Sequence, residues 1–161
     1  MIVDREQSFY TVKDVPAEEF IRAYASHLKK NNKIEVPQWL SYVTNGPRNE
    51  LAPQDEDWVF IRVASVARKI YLRRNIGVST LRHIYGGRQR NLGNVPERHR
   101  ASAGKVIRWS MQALEKIGVV KKDKKNQLKK GSRLISKEGQ TDLNRIATTV
   151  AKQLREARQQ N

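Results

Sequence analysis

The residues best equipped to do chemistry in this sequence are its arginines. Between Asp57 and Glu97 no acidic residue occurs, while Arg62, Arg68, Lys69, Arg73, Arg74, Arg82, Arg88 and Arg90 do. A guanidinium is planar, permanently charged and suited to bidentate hydrogen bonding with phosphate. Solvated surfaces usually mix both signs of charge, so an acid-free stretch of this length reads as the footprint of a polyanion. The run GGRQRNLGNVPERHRA at 86–101 adds Arg98 and Arg100, with Gly86, Gly87, Gly93 and Pro96 among them. It reads as a loop in which glycine lets the main chain approach a ligand closely and arginine contacts phosphate. The pattern G-x-x-x-x-G-K-[ST] is missing, so this is not a Walker loop.

Other chemistries fail on residue type or spacing. Cysteine is absent, which removes disulfides, Cys-type zinc sites and thiol nucleophiles together. His27, His83 and His99 are too scattered for a sequence-local zinc motif. No serine sits in a nucleophile elbow, and the acid-poor middle cannot supply a paired-carboxylate site. Asp55, Glu56 and Asp57 could bind a divalent ion, but they precede an apolar run, where an N-cap and partners for the helix dipole are the favoured reading. The expectation is a protein with no catalysis, no cofactor and no metal.

The charge balance points the same way. Across 161 residues, 32 Lys and Arg face 16 Asp and Glu, a net charge of +16. Residues 1–61 hold seven basic and ten acidic residues, or −3, and residues 62–161 carry the remaining +19. A charge of that size attracts polyanions, nucleic acid first and an anionic membrane surface second. No run approaches the ~20 apolar residues of a bilayer span. The basic helices spend their apolar faces on a core, leaving little to insert into a membrane. Asp4, Arg5 and Glu6 stand where a signal peptide would need an apolar stretch. A soluble cytoplasmic or nuclear protein is expected by elimination.

Six helical segments and one hairpin must position these groups. Residues 1–13 read as an extended arm. Asp14 can cap a helix over about 15–30, with Phe20, Ile21, Tyr24 and Leu28 at helical spacing. Pro37 starts a short helix carrying Trp39, Leu40 and Val43. The helix at about 57–74 is apolar over most of its surface and belongs at the centre of a domain. Arg62, Lys69 and Arg73 form a strip along it, and Arg68 stands apart. Arginines on such a helix need partners, carboxylate or phosphate, and the shortage of acids favours phosphate. Ser79 can cap a short helix ending at Gly86. Ser102 can cap a helix at about 103–117 that carries Lys105 and Arg108 and is closed by Gly118. VVKKD and RLIS read as two strands around a lysine-rich tip, and Ser136 can cap a last helix at about 137–158. This order is that of a winged helix-turn-helix. The fold class is therefore mainly α, with a small β-hairpin wing, as a single domain over 14–158 and a tail at 159–161.

Several stretches resemble one family. TVKDV at 11–15, ELAPQDEDW at 50–58, RVASVARKIYLR at 62–73, IYGGRQRN at 84–91, QALEKIGVV at 112–120 and DLNRIA at 142–147 are similar to the small-subunit ribosomal protein nineteen family of eukaryotes and archaea, which is unrelated to the bacterial protein of that number. The resemblance runs from about 11 to 150. It implies a winged-helix-like domain around a central helix, seated on ribosomal RNA in the head of the small subunit beside other head proteins. In eukaryotes it also implies a part in maturing the small-subunit RNA precursor, hence nucleolar passage before cytoplasmic residence. The family's basic central helix maps onto Arg62 and Arg68, and its loop onto Tyr85, Gly86, Gly87, Arg88, Gln89 and Arg90. The longer N-terminal arm, the segment between Asn91 and Lys105 and the lysine-rich tip depart from its pattern. The alternative is a winged-helix transcription regulator with helix 103–117 in the major groove of DNA. It would concentrate its basic residues on that helix and the wing, whereas here they also occupy the central helix and the 86–101 loop.

Overall fold

The computed structural model describes residues 9–32, 34–73, 75–90, 92–123 and 131–159. Helix α1 (Ala17–Lys30) follows Pro16, carries Glu18 and Glu19 in its first turn and Lys29 and Lys30 in its last, and so complements its own dipole at both ends. Its buried stripe is Phe20, Tyr24, Ala25 and Leu28. A short 3-10 helix (Gln38–Tyr42) follows Pro37. Helix α2 (Trp58–Leu72) buries Val59, Val63, Ala64, Val66, Ala67 and Ile70, and packs against α1 and a later helix, α4 (Gly104–Lys116). Its central position follows from that wide apolar surface, as the sequence predicts.

The winged-helix order is complete. After α2, Ile76 forms an antiparallel bridge with Arg133. Helix α3 (Val78–Ile84) and then α4 follow. Strands β3 (Val120–Lys122) and β4 (Arg133–Ile135) pair antiparallel, with Lys121 opposite Leu134. Helix α5 (Lys137–Gln159) closes the chain against α1. Gly118 takes φ +84° just beyond α4, a left-handed turn that glycine adopts at no steric cost. The Ser136 hydroxyl accepts the Gly139 N–H at 2.9 Å, which makes it the expected N-cap of α5. The tip residues 124–130 lie outside the described residues, as do residues 1–8 of the arm.

The main core runs from Val12 on the arm to Ala151 on α5. A satellite cluster joins Leu40, Val59 and Val106, with Trp39, Trp58 and Trp109 around them. Trp58 is half-buried there, while Val63 and Ile70 are fully enclosed. Tyr71 donates to the Asn144 side-chain oxygen at 2.8 Å, so this part-buried polar pair between α2 and α5 is satisfied.

Several expectations are corrected. The segment at 86–101 is not a plain loop. It holds strands β1 (Gly87–Gln89) and β2 (Arg98–Arg100), paired antiparallel with Arg88 opposite His99. Its strands are polar on both faces, so the alternation that betrays a strand is missing. Asp14 caps nothing: its carboxylate accepts the Thr11 N–H and hydroxyl at 2.8 and 2.6 Å, closing a turn ahead of α1. These bonds hold its carboxyl below the usual range. Asp57 stands at the N-cap position of α2, as expected, but its side chain makes no cap hydrogen bond and instead pairs with Lys29 at 2.8 Å. Ser79 lies inside α3, which begins at Val78 with no side-chain cap. Ser102 is buried and donates to the Asn45 carbonyl at 2.8 Å, a long-range tie rather than a cap.

Candidate nucleic-acid interface

The basic strip of α2 converges on one aromatic ring. The Arg62 guanidinium lies 4.3 Å from the centre of Tyr85, and the Lys69 ammonium 5.6 Å from it. Helical spacing places both cations on one face, and the end of α3 delivers Tyr85 beneath them. The Tyr85 hydroxyl shares a 2.7 Å hydrogen bond with Ser65 one turn along. Burial raises the Tyr85 phenol, with Ser65 and Arg62 working against the shift, so the ring stays neutral and its face stays available to cations.

Among the described residues, no carboxylate neutralises these cations. Ion pairs among the described residues join Arg22 to Glu18, Lys29 to Asp57, Arg90 to Glu97, and Lys122 and Arg133 to Glu115. None reaches Arg62, Arg68, Lys69 or Arg73. Burial depresses the Arg62 pKa, which Tyr85 opposes and Arg48 reinforces. Burial likewise depresses Lys69, with Arg73 and Arg68 adding repulsion. The Arg68 Nε is buried without a hydrogen-bond partner. A half-buried cation cluster that repels itself is stabilised by an anion.

The hairpin and the start of α4 extend this face. A Cβ on Gly87 would run into the Arg48 guanidinium, and one on Gly86 would stand 2.5 Å from the Arg100 carbonyl oxygen and 2.8 Å from the His99 ring. The close approach these glycines permit is therefore to Arg48, His99 and Arg100 of the chain itself. The His83 and His99 rings meet at a tilt of 42° with 4.3 Å between their centres, tying α3 to β2. Arg90 and Glu97 lie 3.5 Å apart, and Arg100 donates to the Gln89 side-chain oxygen at 3.2 Å. Arg88 and Arg98 are exposed. Arg82 donates to the Ser102 carbonyl at 3.1 Å. Arg82 and Arg108 flank Gly104, the first residue of α4, where the helix dipole adds positive potential. Lys105 instead sits 4.2 Å over the Trp39 ring.

Arg62, Lys69, Tyr85 and the hairpin thus come together. Arg82 and Arg108 form a neighbouring group, Arg68 keeps its separate face, and Arg74 lies outside the described residues. Arg48 belongs beside Arg62 and Gly87 but was not expected there. It is a lone arginine in an aperiodic loop, and no local signal marks it. Among the described residues no cluster of three or more His, Cys, Asp or Glu could hold a metal, and no helix is long and apolar enough to cross a membrane.

A mainly helical, winged-helix-like protein with a basic face on its central helix that no described carboxylate pairs is the class that fold and site define. Residues 11–153 match the family described as Ribosomal protein S19e. The chain is 48% identical over 140 residues to the small ribosomal subunit protein eS19B of Schizosaccharomyces pombe, covering 87% of this chain and 94% of the relative. It is 46% identical over 140 residues to the eS19 proteins of Emericella nidulans and of Oryza sativa subsp. japonica, covering 91% and 92% of those relatives. The chain belongs to the ribosomal protein S19e family, which is the resemblance read from its motifs.

Proposed function

We propose that the chain is a structural constituent of the small ribosomal subunit that binds small-subunit ribosomal RNA and supports its maturation and assembly, without catalysis. The observation that carries this reading is the pair Arg62 and Lys69 on Tyr85, with Arg68 on a separate face of the same helix, all partly buried and given no carboxylate by the described residues. The names of the relatives supply the subunit. RNA phosphate is the counter-charge, and Tyr85 fixes where the cations stand. Arg73, Arg82, Arg88, Arg98 and Arg108 widen the contact, and Arg90 and Arg100 join it once RNA competes for their weak internal partners. The site lies in the subunit head beside other head proteins, reached through the nucleolus and used on cytoplasmic ribosomes.

The duplex-DNA reading is disfavoured by α4. Trp109 on that helix packs edge-on against Trp39 at 6.5 Å, and Lys105 is spent on the same indole. A hairpin also interrupts the turn between α3 and α4. The test is competition between a folded small-subunit RNA fragment and duplex DNA of equal length, across a series of salt concentrations. Preferential RNA binding with a steep salt slope, roughly −0.7 to −0.9 per phosphate contacted, is expected. Equal affinity for DNA, or a flat salt response, overturns the proposal.

A further inference from the structure

A groove of about 500 Å³ runs between the 3-10 helix and the segment entering α2. Val36, Leu40, Pro53 and Trp58 line it, and Asp55 and Glu56 stand at its rim. Val36, an apolar residue of this lining, is 47% exposed. The rim carboxylates are only partly used within the chain. Asp55 accepts the Asp57 N–H at 2.9 Å, and Glu56 forms no ion pair among the described residues. Asp57, by contrast, is committed to Lys29.

This chemistry selects the occupant. Phosphate is repelled by two carboxylates, so the groove does not extend the RNA face. A purely apolar segment would bury or crowd those carboxylates without pairing them, which is costly. An apolar side chain flanked by Lys or Arg satisfies both parts, filling the groove while its cations meet Asp55 and Glu56. Proteins gathered on one RNA carry such segments in quantity, because each must neutralise phosphate. We infer that this groove docks a lysine- or arginine-flanked apolar segment of a neighbouring protein in the small subunit. The groove's chemistry stands alone, and only the source of the segment rests on the ribosomal reading.

Two measurements on the full chain test it. The first is in solution, at about 0.15 M salt, where the Debye length of about 8 Å screens the distant basic face. A capped peptide alternating lysine with leucine is expected to perturb the Trp58 indole and Ser41 amide resonances, while the peptide with serine in place of leucine does not. Asp55→Lys combined with Glu56→Lys is expected to weaken the leucine peptide by roughly tenfold or more and to leave RNA affinity undiminished. Peptide binding that ignores the leucines, leaves Trp58 untouched or survives charge reversal overturns the inference. The second places a photo-crosslinking residue at Ser41 and recovers small subunits. A crosslink to a protein segment rich in Lys or Arg is expected. A crosslink to RNA or to a second copy of this chain, or none from incorporated protein, overturns it. A chain that never enters subunits refutes the ribosomal reading instead, and the peptide titration then decides the groove by itself.

Discussion

Replacing Arg62 by methionine separates a cation held for the fold from one held for a ligand. Methionine keeps the unbranched stem and its packing, and removes only the charge. Two folding terms oppose each other. The 4.3 Å contact with the Tyr85 ring is lost, worth about 0.5–1 kcal/mol where partly solvated and about 2 when desolvated. A half-buried charge beside Arg48 with no acidic partner is also relieved, which is worth a similar amount with opposite sign. The net change in unfolding free energy is expected to stay within about 1 kcal/mol. Binding behaves differently. Losing one phosphate contact is expected to lower the magnitude of the log–log salt slope by about 0.7–0.9. Urea unfolding followed by tryptophan emission reads the first quantity, because Trp39, Trp58 and Trp109 all flank the satellite cluster. Filter binding of a small-subunit RNA fragment across a salt series reads the second. A destabilisation above about 2 kcal/mol would show that Arg62 is held for the fold, and an unchanged slope would show that its charge meets no phosphate.

The other expectations follow from burial and rigidity. Val63→Ala, at a fully enclosed position on α2, is expected to cost about 1–3 kcal/mol in urea unfolding. Arg88→Ala with Arg90→Ala leaves melting nearly unchanged, since both side chains are exposed, yet weakens RNA binding; normal binding by that double variant removes the hairpin from the interface. Arg68→Glu lowers incorporation of tagged protein into small subunits more than Lys121→Glu, because a charge on the central helix cannot swing away; equal incorporation of two folded variants refutes this. Burial raises the Tyr24 phenol well above its ordinary 10.0, with Asp142 adding to the shift. That contribution to stability is complete below about pH 10 and is lost as pH climbs beyond it, so the urea midpoint falls there for the parent and falls less for Tyr24→Phe.

Local physics made the helices legible and long-range physics hid the rest. Phe20, Tyr24 and Leu28, or Leu143, Ala147 and Val150, repeat at helical spacing and are buried where they should be. Ser136 and Gly118 act as caps because their partners lie within a few residues. The side chains of Asp14, Asp57 and Ser102 look like the same kind of cap, but each bonds elsewhere: in a turn at Thr11, to Lys29 on α1, and to the Asn45 carbonyl, although Asp57 keeps the N-cap position of α2. Nothing near Asp57 in sequence announces Lys29. The β1–β2 hairpin escaped notice because GRQ and RHR carry no apolar face. The arginines were legible as a surplus without acids, but their convergence on Tyr85, and the addition of Arg48, depend on how α2, α3 and the hairpin pack.

The placement of charge on rigid elements has a thermodynamic consequence. Arg62 and Lys69 are carried by a central helix whose other faces are core, so they cannot spread apart to lower their repulsion. A flexible basic tail would relax in water and lose conformational entropy on binding. Here that ordering is done when the core forms, and the repulsion remains until an anion arrives. Salt therefore acts with opposite signs on the two equilibria. It screens the cluster in the free chain and favours folding, while it competes for phosphate and disfavours binding. By linkage, RNA that binds only the folded chain stabilises it further. Within this reading, the polar hairpin between α3 and α4 is also consistent: its strands bury no apolar face, and they carry Arg88 and Arg98 outward beside the cluster that the core has already fixed.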